Sequence, residues 1–256
     1  MQTTPIEFEN ESIKTYLNGS LAVLEVKKDA FSLLTELPEG FRILKWIDII
    51  KNEESIKGIL MLGESNLYCE EPYKKFLSLI SGEDLKDQLP HTLKHIDKDI
   101  RTKQINMLNN FTVSFLEFPK LVISYLSGCI VTPFIGLALA SDIKIGTNQT
   151  SFSFLHKKYG LHPTGALPFF LYTNLGQSRA KNLMYTKSEL SSEELLSLGL
   201  LDEIITNQNT NEVIEYSKNI VENNYNTIIT TKKLINKTFL DHYKEFMELE
   251  QQMVLS

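Results

Sequence analysis

Three kinds of side chain in this sequence could move a proton or attack a carbonyl, and they gather at three turn-like stretches. His156 immediately precedes the turn KKYGLHPTG (157–165) that holds His162, Glu70 and Glu71 lie in YCEEPY (68–73), and Cys69 and Cys129 stand in YCEEPY and in SGCIVTPF (127–134). Histidine titrates nearest neutrality, which suits His156 or His162 to general acid–base work. A buried carboxyl at Glu70 would be pushed toward neutrality and could serve the same end. A cysteine attacks only as its thiolate and needs a base such as His156 beside it. In an apolar setting the same cysteine is inert packing. His91 and His95 stand four apart, a spacing for two metal ligands on one helix face. No third ligand accompanies them in a known pattern, so they read as a solvated face and no metal is expected.

These residues need a scaffold, and the hydrophobic patterning supplies one. Asn18-Gly19 between two apolar alternating runs predicts a hairpin within Tyr16–Val26. Pro38-Glu39-Gly40 punctuates a loop, after which Phe41, Leu44, Ile47 and Ile50 recur at helical spacing. A strand over Ile56–Leu62, a helix over Glu71–Ile80 and a long helix over Ile96–Phe118 follow, the last ended by Pro119. Lys120–Thr147 then reads as a buried strand (Leu121–Leu126), a turn at Ser127-Gly128, a small-residue helix (Thr132–Ala140) and a second strand from Asp142. Beyond it come a strand at Ser151–Leu155 and helices at Leu167–Leu175 and Gln177–Met184. Ser191 and Glu194 form a capping box whose helix closes at Gly199. An extended segment Leu200–Ile205 leads to three helices, Asn211–Asn223, Thr227–Phe239 and His242–Met253. Strand alternating with helix predicts an α/β fold with a mainly parallel sheet.

Composition narrows the class. The 256 residues carry a net charge of −6 with 42% apolar and 23% charged residues, an ordinary globular mix without a basic nucleic-acid surface. No apolar run is long enough to span a bilayer. The opening MQTTPIEFENESIK lacks the apolar core of a signal peptide. Two cysteines without a CxxC pair fit a reducing cytoplasm.

Three stretches together resemble the crotonase (enoyl-CoA hydratase/isomerase) superfamily. Lys120–Ile143 is similar to the family's lysine, apolar strand, Asn-Gly, glycine-rich turn, small-residue helix and Cys-Asp-Ile. TSFSFLHKKYGLHPTGALPFFLYTNLG (150–176) is similar to its strand and Gly-x-x-Pro-x-x-Gly turn, and Ser191–Ile205 to its next helix and strand. The resemblance implies a ββα spiral core over residues 1–200 and a C-terminal helical trimerisation region over 201–256. It further implies a homotrimer or homohexamer and an acyl-CoA or acyl-carrier thioester as ligand. CoA would enter as part of the substrate, with no separate cofactor.

The chemical positions depart from the family. The resemblance places the two backbone donors of the oxyanion hole at Pro72 and Pro133, and proline has no N–H. It places the hydratase glutamates at Gly136 and His156, and the carboxylate of some isomerases and dehalogenases at Thr164. The bland reading of both prolines is a cap followed by the first helical position, Glu71-Pro72 and Thr132-Pro133. Phe134 or Ile135 N–H could still face a shifted carbonyl. Lys27, Lys28 and Ala30 fall where the family receives CoA. Three readings follow: a divergent thioester-binding member without the usual machinery, a pseudoenzyme in that sense; an active hydratase, isomerase or decarboxylase using His156, His162 or Glu70; and a non-catalytic scaffold subunit. The KYG-x-x-P turn looks similar to decarboxylating relatives, which keep the glycine-rich turn that this chain lacks.

Overall fold

A computed structural model describes residues 5–28, 30–85, 93, 96–206, 209–223 and 225–255, apart from the side chains of 254 and 255. His91 and His95 lie outside the described residues. The chain opens with β1 (Phe8–Glu9), β2 (Ile13–Asn18) and β3 (Leu21–Val26). β2 and β3 form the expected hairpin, with Asn18 opposite Leu21 and Gly19 at φ 62 in the turn. That positive φ is the conformation glycine adopts without a Cβ penalty.

From β3 onward the sheet is parallel. β4 (Gly58–Gly63), β5 (Leu121–Leu126), β7 (Ile143–Gly146) and β10 (Glu203–Ile204) add in turn, giving the order β1-β2-β3-β4-β5-β7-β10. A second, three-stranded sheet joins β6 (Cys129–Val131) in parallel to β8 (Ser151–Ser153), which pairs antiparallel with β9 (Glu189–Leu190). Strands β3 and β5 are buried on both faces, which explains their continuous apolar runs.

Helix α1 (Leu37–Asn52) begins earlier than the sequence suggests: Pro38 lies inside its first turn, where a missing N–H costs nothing. Its buried face is Ile43, Trp46, Ile47 and Ile50, while Phe41 is 50% exposed. The stripe is rotated because Gly40 packs on Met107, where a Cβ would come within 2.5 Å of the methionine methyl. α2 (Glu70–Ser81) closes on Gly82, and Asp97 caps α3 (Lys98–Glu117) through the N–H groups of Asp99 and Ile100. α4 (Phe134–Leu139), α5 (Leu167–Leu175), α6 (Gln177–Thr186) and α7 (Ser192–Ser197) follow, and the Ser191/Glu194 capping box is present.

The C-terminal segment is two helices, α8 (Thr210–Glu222) and α9 (Tyr225–Leu255). The two helices expected over Thr227–Phe239 and His242–Met253 are one, because no glycine or proline interrupts residues 225–255. α8 covers β3, β4 and β5, and α9 runs along α3. α9 is anchored by Lys232, whose ammonium donates to Asp142 Oδ2 at 2.6 Å and to the Lys120 carbonyl at 2.8 Å. Asp142 Oδ2 also accepts the Val122 N–H at 2.7 Å, so one carboxylate ties the C-terminal helix to the central strand β5.

Candidate active site

The fold brings together the turns that precede α2 and α4. The Val131 N–H donates to the Tyr68 carbonyl at 2.9 Å, so Cys69 and Thr132 become neighbours of one joint. The cap positions differ from the expected pairs. Cys69 caps α2 and Pro72 is its third residue; Pro133 itself is the cap of α4. Neither proline is at the first helical position, and neither can donate a backbone hydrogen bond.

Beneath this joint the packing is aromatic. Phe134 meets Tyr68 and Phe31 edge to face, each at 4.9 Å between ring centroids. Gly63 makes room for Tyr68, since a Cβ there would sit 2.6 Å from the ring. Two apolar cavities of about 60 Å³ each flank Phe134, Tyr68, Met61, Phe115 and Leu137. One reaches Tyr125, Leu126 and Ile130; the other reaches Val26, Ala30 and Leu34. Ligand pockets for drug-sized molecules commonly hold about 300–1,000 Å³. The space is therefore largely occupied by Phe134 and Tyr68. Ser124 also lines the first cavity, and its hydroxyl already shares a 2.5 Å hydrogen bond with Ser141.

The opposite face of α4 meets the turn 160–166 with no side chain between them. A Cβ on Gly136 would lie 1.6 Å from the Gly165 carbonyl oxygen, and one on Gly165 would lie 2.1 Å from the Pro133 carbonyl oxygen. Backbone fills the place where the family resemblance puts a hydratase glutamate. Thr164 is buried, and its hydroxyl has no hydrogen-bond partner. Ala166 adopts φ 56, a strained conformation for a residue with a Cβ.

His156 is buried behind Thr132, with its Nδ1 3.2 Å from the threonine hydroxyl. Burial, helped by the charge of Lys157, lowers its pKa to about 4, so the ring is neutral at physiological pH. His162 is exposed, and its carbonyl, not its ring, is engaged, by Arg101 at 3.4 Å.

Glu70 does not become the raised-pKa acid that its sequence position suggested. Burial pushes its pKa up, but hydrogen bonds from Lys158 at 2.5 Å and Tyr159 at 2.8 Å hold it below the usual carboxylate value. Both bonds end on Oε1 and pin the KYG turn to the first turn of α2. Glu71 is an exposed partner of Lys74. The Cys129 thiol is pushed up to about 11 by burial, which excludes a thiolate nucleophile near neutral pH. Cys69 donates its thiol to the Asn66 carbonyl at 3.1 Å. Lys27 pairs with Glu9 at 2.7 Å and Lys28 with Glu11. Ala30 is buried in the cavity wall. Among the described residues no group of three His, Cys, Asp or Glu could hold a metal ion.

One cluster beside the turn was not anticipated. Arg101, buried on α3, donates to Gln104 Oε1 at 2.7 Å and to the His162 carbonyl, while Glu250 of α9 accepts the Ala166 N–H at 2.9 Å. Arg101, Gln104 and Thr112 fall on the apolar stripe of α3, and this run of polar residues on a buried face was the available signal. Nothing local marked Glu250, which lies 84 residues from its partner.

A sequence profile described as enoyl-CoA hydratase/isomerase matches residues 46–256. The trans-2-decenoyl-[acyl-carrier-protein] isomerase of Streptococcus mutans is 21% identical over 241 residues, covering 93% of this chain and 86% of that protein. The mouse ethylmalonyl-CoA decarboxylase is 22% identical over 197 residues, covering 77% of this chain and 55% of the relative. The crystal structure of an enoyl-CoA hydratase from Bacillus halodurans superposes with a TM-score of 0.75 at 22% identity, over 95% of this chain and 94% of that one. The fold is the crotonase fold that the three sequence stretches implied.

Proposed function

Because the chain belongs to the enoyl-CoA hydratase/isomerase family, we propose that it binds an acyl thioester, on CoA or a carrier protein, without the family's two-glutamate hydration machinery. The observation that carries this reading is the contact between Gly136 and Gly165. A peptide carbonyl 1.6 Å from any Cβ at 136 leaves no room for a glutamate. Hydration needs one group to activate water and another to protonate carbon. Here the first position is backbone and the second is a buried His156 that is uncharged near neutrality. Loss of one oxyanion-hole donor costs about 2.7–4 kcal/mol, or roughly 10²–10³ in rate. Pro72 and Pro133 remove two such donors at the positions the resemblance assigns.

The apolar lining of the two small cavities beside Phe134 supports binding, since it matches the chemistry of an aliphatic chain that would take the place of that ring. The family relatives named above act, by their names, on an acyl-carrier thioester and on an acyl-CoA. The proposed setting is a reducing, cytoplasmic one, with Cys69 and Cys129 both free, and among the described residues no helix is long and apolar enough to cross a membrane. The proposed assembly is a homotrimer or homohexamer built through residues 201–256. Leu234 and Ile235 of α9 are 75% and 63% exposed, which supports an interface there. Calorimetric titration of CoA and of a short acyl-CoA tests the reading. Saturable binding of the acyl-CoA is expected; no heat and no thermal shift at millimolar ligand would leave the scaffold-subunit reading.

A further inference from the structure

The two cavities beside Phe134 share Met61, Tyr68, Phe115, Phe134 and Leu137 in their walls. Among the described residues the side-chain hydroxyls lining them belong to Tyr68, Ser124 and Tyr125. Two of these are committed: Ser124 shares its hydrogen bond with Ser141, and Tyr125 is bonded to Ser127. The Tyr68 hydroxyl has no hydrogen-bond partner among the described residues. A tyrosine hydroxyl held among apolar groups ordinarily finds one. The Thr112 and Thr164 hydroxyls also lack partners, but they are sealed in the core, whereas Tyr68 faces cavity space.

The position of this phenol is set from several sides. It lies across the end of β4, where a Cβ on Gly63 would come 2.8 Å from its oxygen. The Tyr68 carbonyl accepts the Val131 N–H, and Phe134 packs on its ring edge to face. Tyr68 therefore stands at the joint of the two turns to which the resemblance assigns the oxyanion donors, four residues before Pro72 in the same segment. An acyl chain that takes the place of the Phe134 ring runs past this hydroxyl. The first cavity opens toward solvent along Met61, Tyr68 and Leu137, each of which keeps part of its surface exposed, so a ligand has a way in.

From this geometry we infer that Tyr68 is the hydrogen-bond donor to the thioester carbonyl, supplying from a side chain what Pro72 and Pro133 cannot supply from the backbone. The inference rests on the thioester-binding reading above. A side-chain donor can fill this role because what counts is a fixed O–H or N–H aimed at the oxygen that gains charge. The carbonyl is then held beside Gly63, under the phenol, and not against the first turn of α4. Burial pushes the Tyr68 pKa up, so the phenol keeps its proton and remains a donor throughout the physiological range. One neutral donor orients and polarises the carbonyl; it does not replace the missing carboxylates.

The test uses the full chain, butyryl-CoA with an isotope-labelled carbonyl, and S-butyl-CoA, the thioether in which a methylene replaces that carbonyl. Y68F keeps the ring against Phe134 and Gly63 and removes only the hydroxyl. In calorimetry Y68F is expected to bind butyryl-CoA about 3- to 10-fold more weakly, the loss of one neutral hydrogen bond, and S-butyl-CoA within about twofold of wild type. In infrared difference spectra the carbonyl band of bound butyryl-CoA should lie below its position in hydrocarbon, and Y68F should return it upward. Equal weakening for both ligands would make Tyr68 packing alone, and an unchanged affinity and band in Y68F would remove it from the site. Either result overturns the inference and leaves the binding reading in place. A wild type that binds neither ligand ends both. Where Y68F does not fold, the wild-type band decides: a lowered band supports the assignment, and one at the hydrocarbon position refutes it.

Discussion

The two faces of α4 meet opposite surroundings. Phe134, Leu137 and Ala138 look onto apolar cavities, where the packing is loose enough to leave volume. Pro133 and Gly136 lie against the turn 160–166 with backbone in contact with backbone. On the proposed reading, the first face offers a thioester apolar surface beside a turn, and the second has no room for the carboxylates that hydration needs. A helix of six residues would then carry a binding face without a chemical one, since no side chain serves both.

The comparison can be broken from either side. The largest effect is expected from G136E, which puts a glutamate at the position the family resemblance assigns to one and where a carbonyl oxygen stands. It should cost about 4 kcal/mol in urea denaturation and produce no crotonyl-CoA hydration. A stable, hydrating G136E would show that the turn yields easily. F134A acts on the open face and should cost about 3–4 kcal/mol, since a buried phenyl is lost beside space that already exists. It should also merge the two cavities and tighten binding of longer acyl chains relative to short ones in calorimetry.

H156Q sharpens the chemical face through pH. The His156 pKa in the folded chain is about 4, below the ordinary value of 6.5. Between these values the unfolded chain binds the extra proton, so the wild type loses stability as pH falls from 6.5 to 4. H156Q should remove that loss. Its stability relative to wild type should improve by about 2–3 kcal/mol across that window, read by chemical denaturation at several pH values. The smallest effect is expected from K158A. It frees Glu70 from a partly exposed ion pair and should cost less than about 1 kcal/mol. Glu70 is held below its ordinary pKa, so its contribution is present above the usual carboxylate range and lost as pH falls through the folded value. The K158A deficit should therefore fade in acid.

The sequence carried the fold further than it carried the site. β5 was readable to the residue because a strand buried on both faces is one unbroken apolar run, and the Ser191/Glu194 capping box was readable because it is local. The start of α1 was misplaced because a proline in a first turn looks like a loop proline. The residue types at Pro72, Pro133, Gly136 and Thr164, where the resemblance places the family's chemical groups, were visible in the sequence. The Gly136–Gly165 contact was not, because it is made by backbone and leaves no mark in composition. Glu70 was expected to be a raised-pKa acid, and nothing at Glu70 announced that Lys158 and Tyr159 would hold it low.

The central claim is that the family scaffold binds a thioester while the two-glutamate site is closed. Adding crotonyl-CoA to the wild-type chain in a calorimeter reads both halves at once. The account predicts heat that saturates with ligand and then stops, the mark of binding without turnover. A sustained heat of hydration, or no heat at all at millimolar crotonyl-CoA, would contradict it.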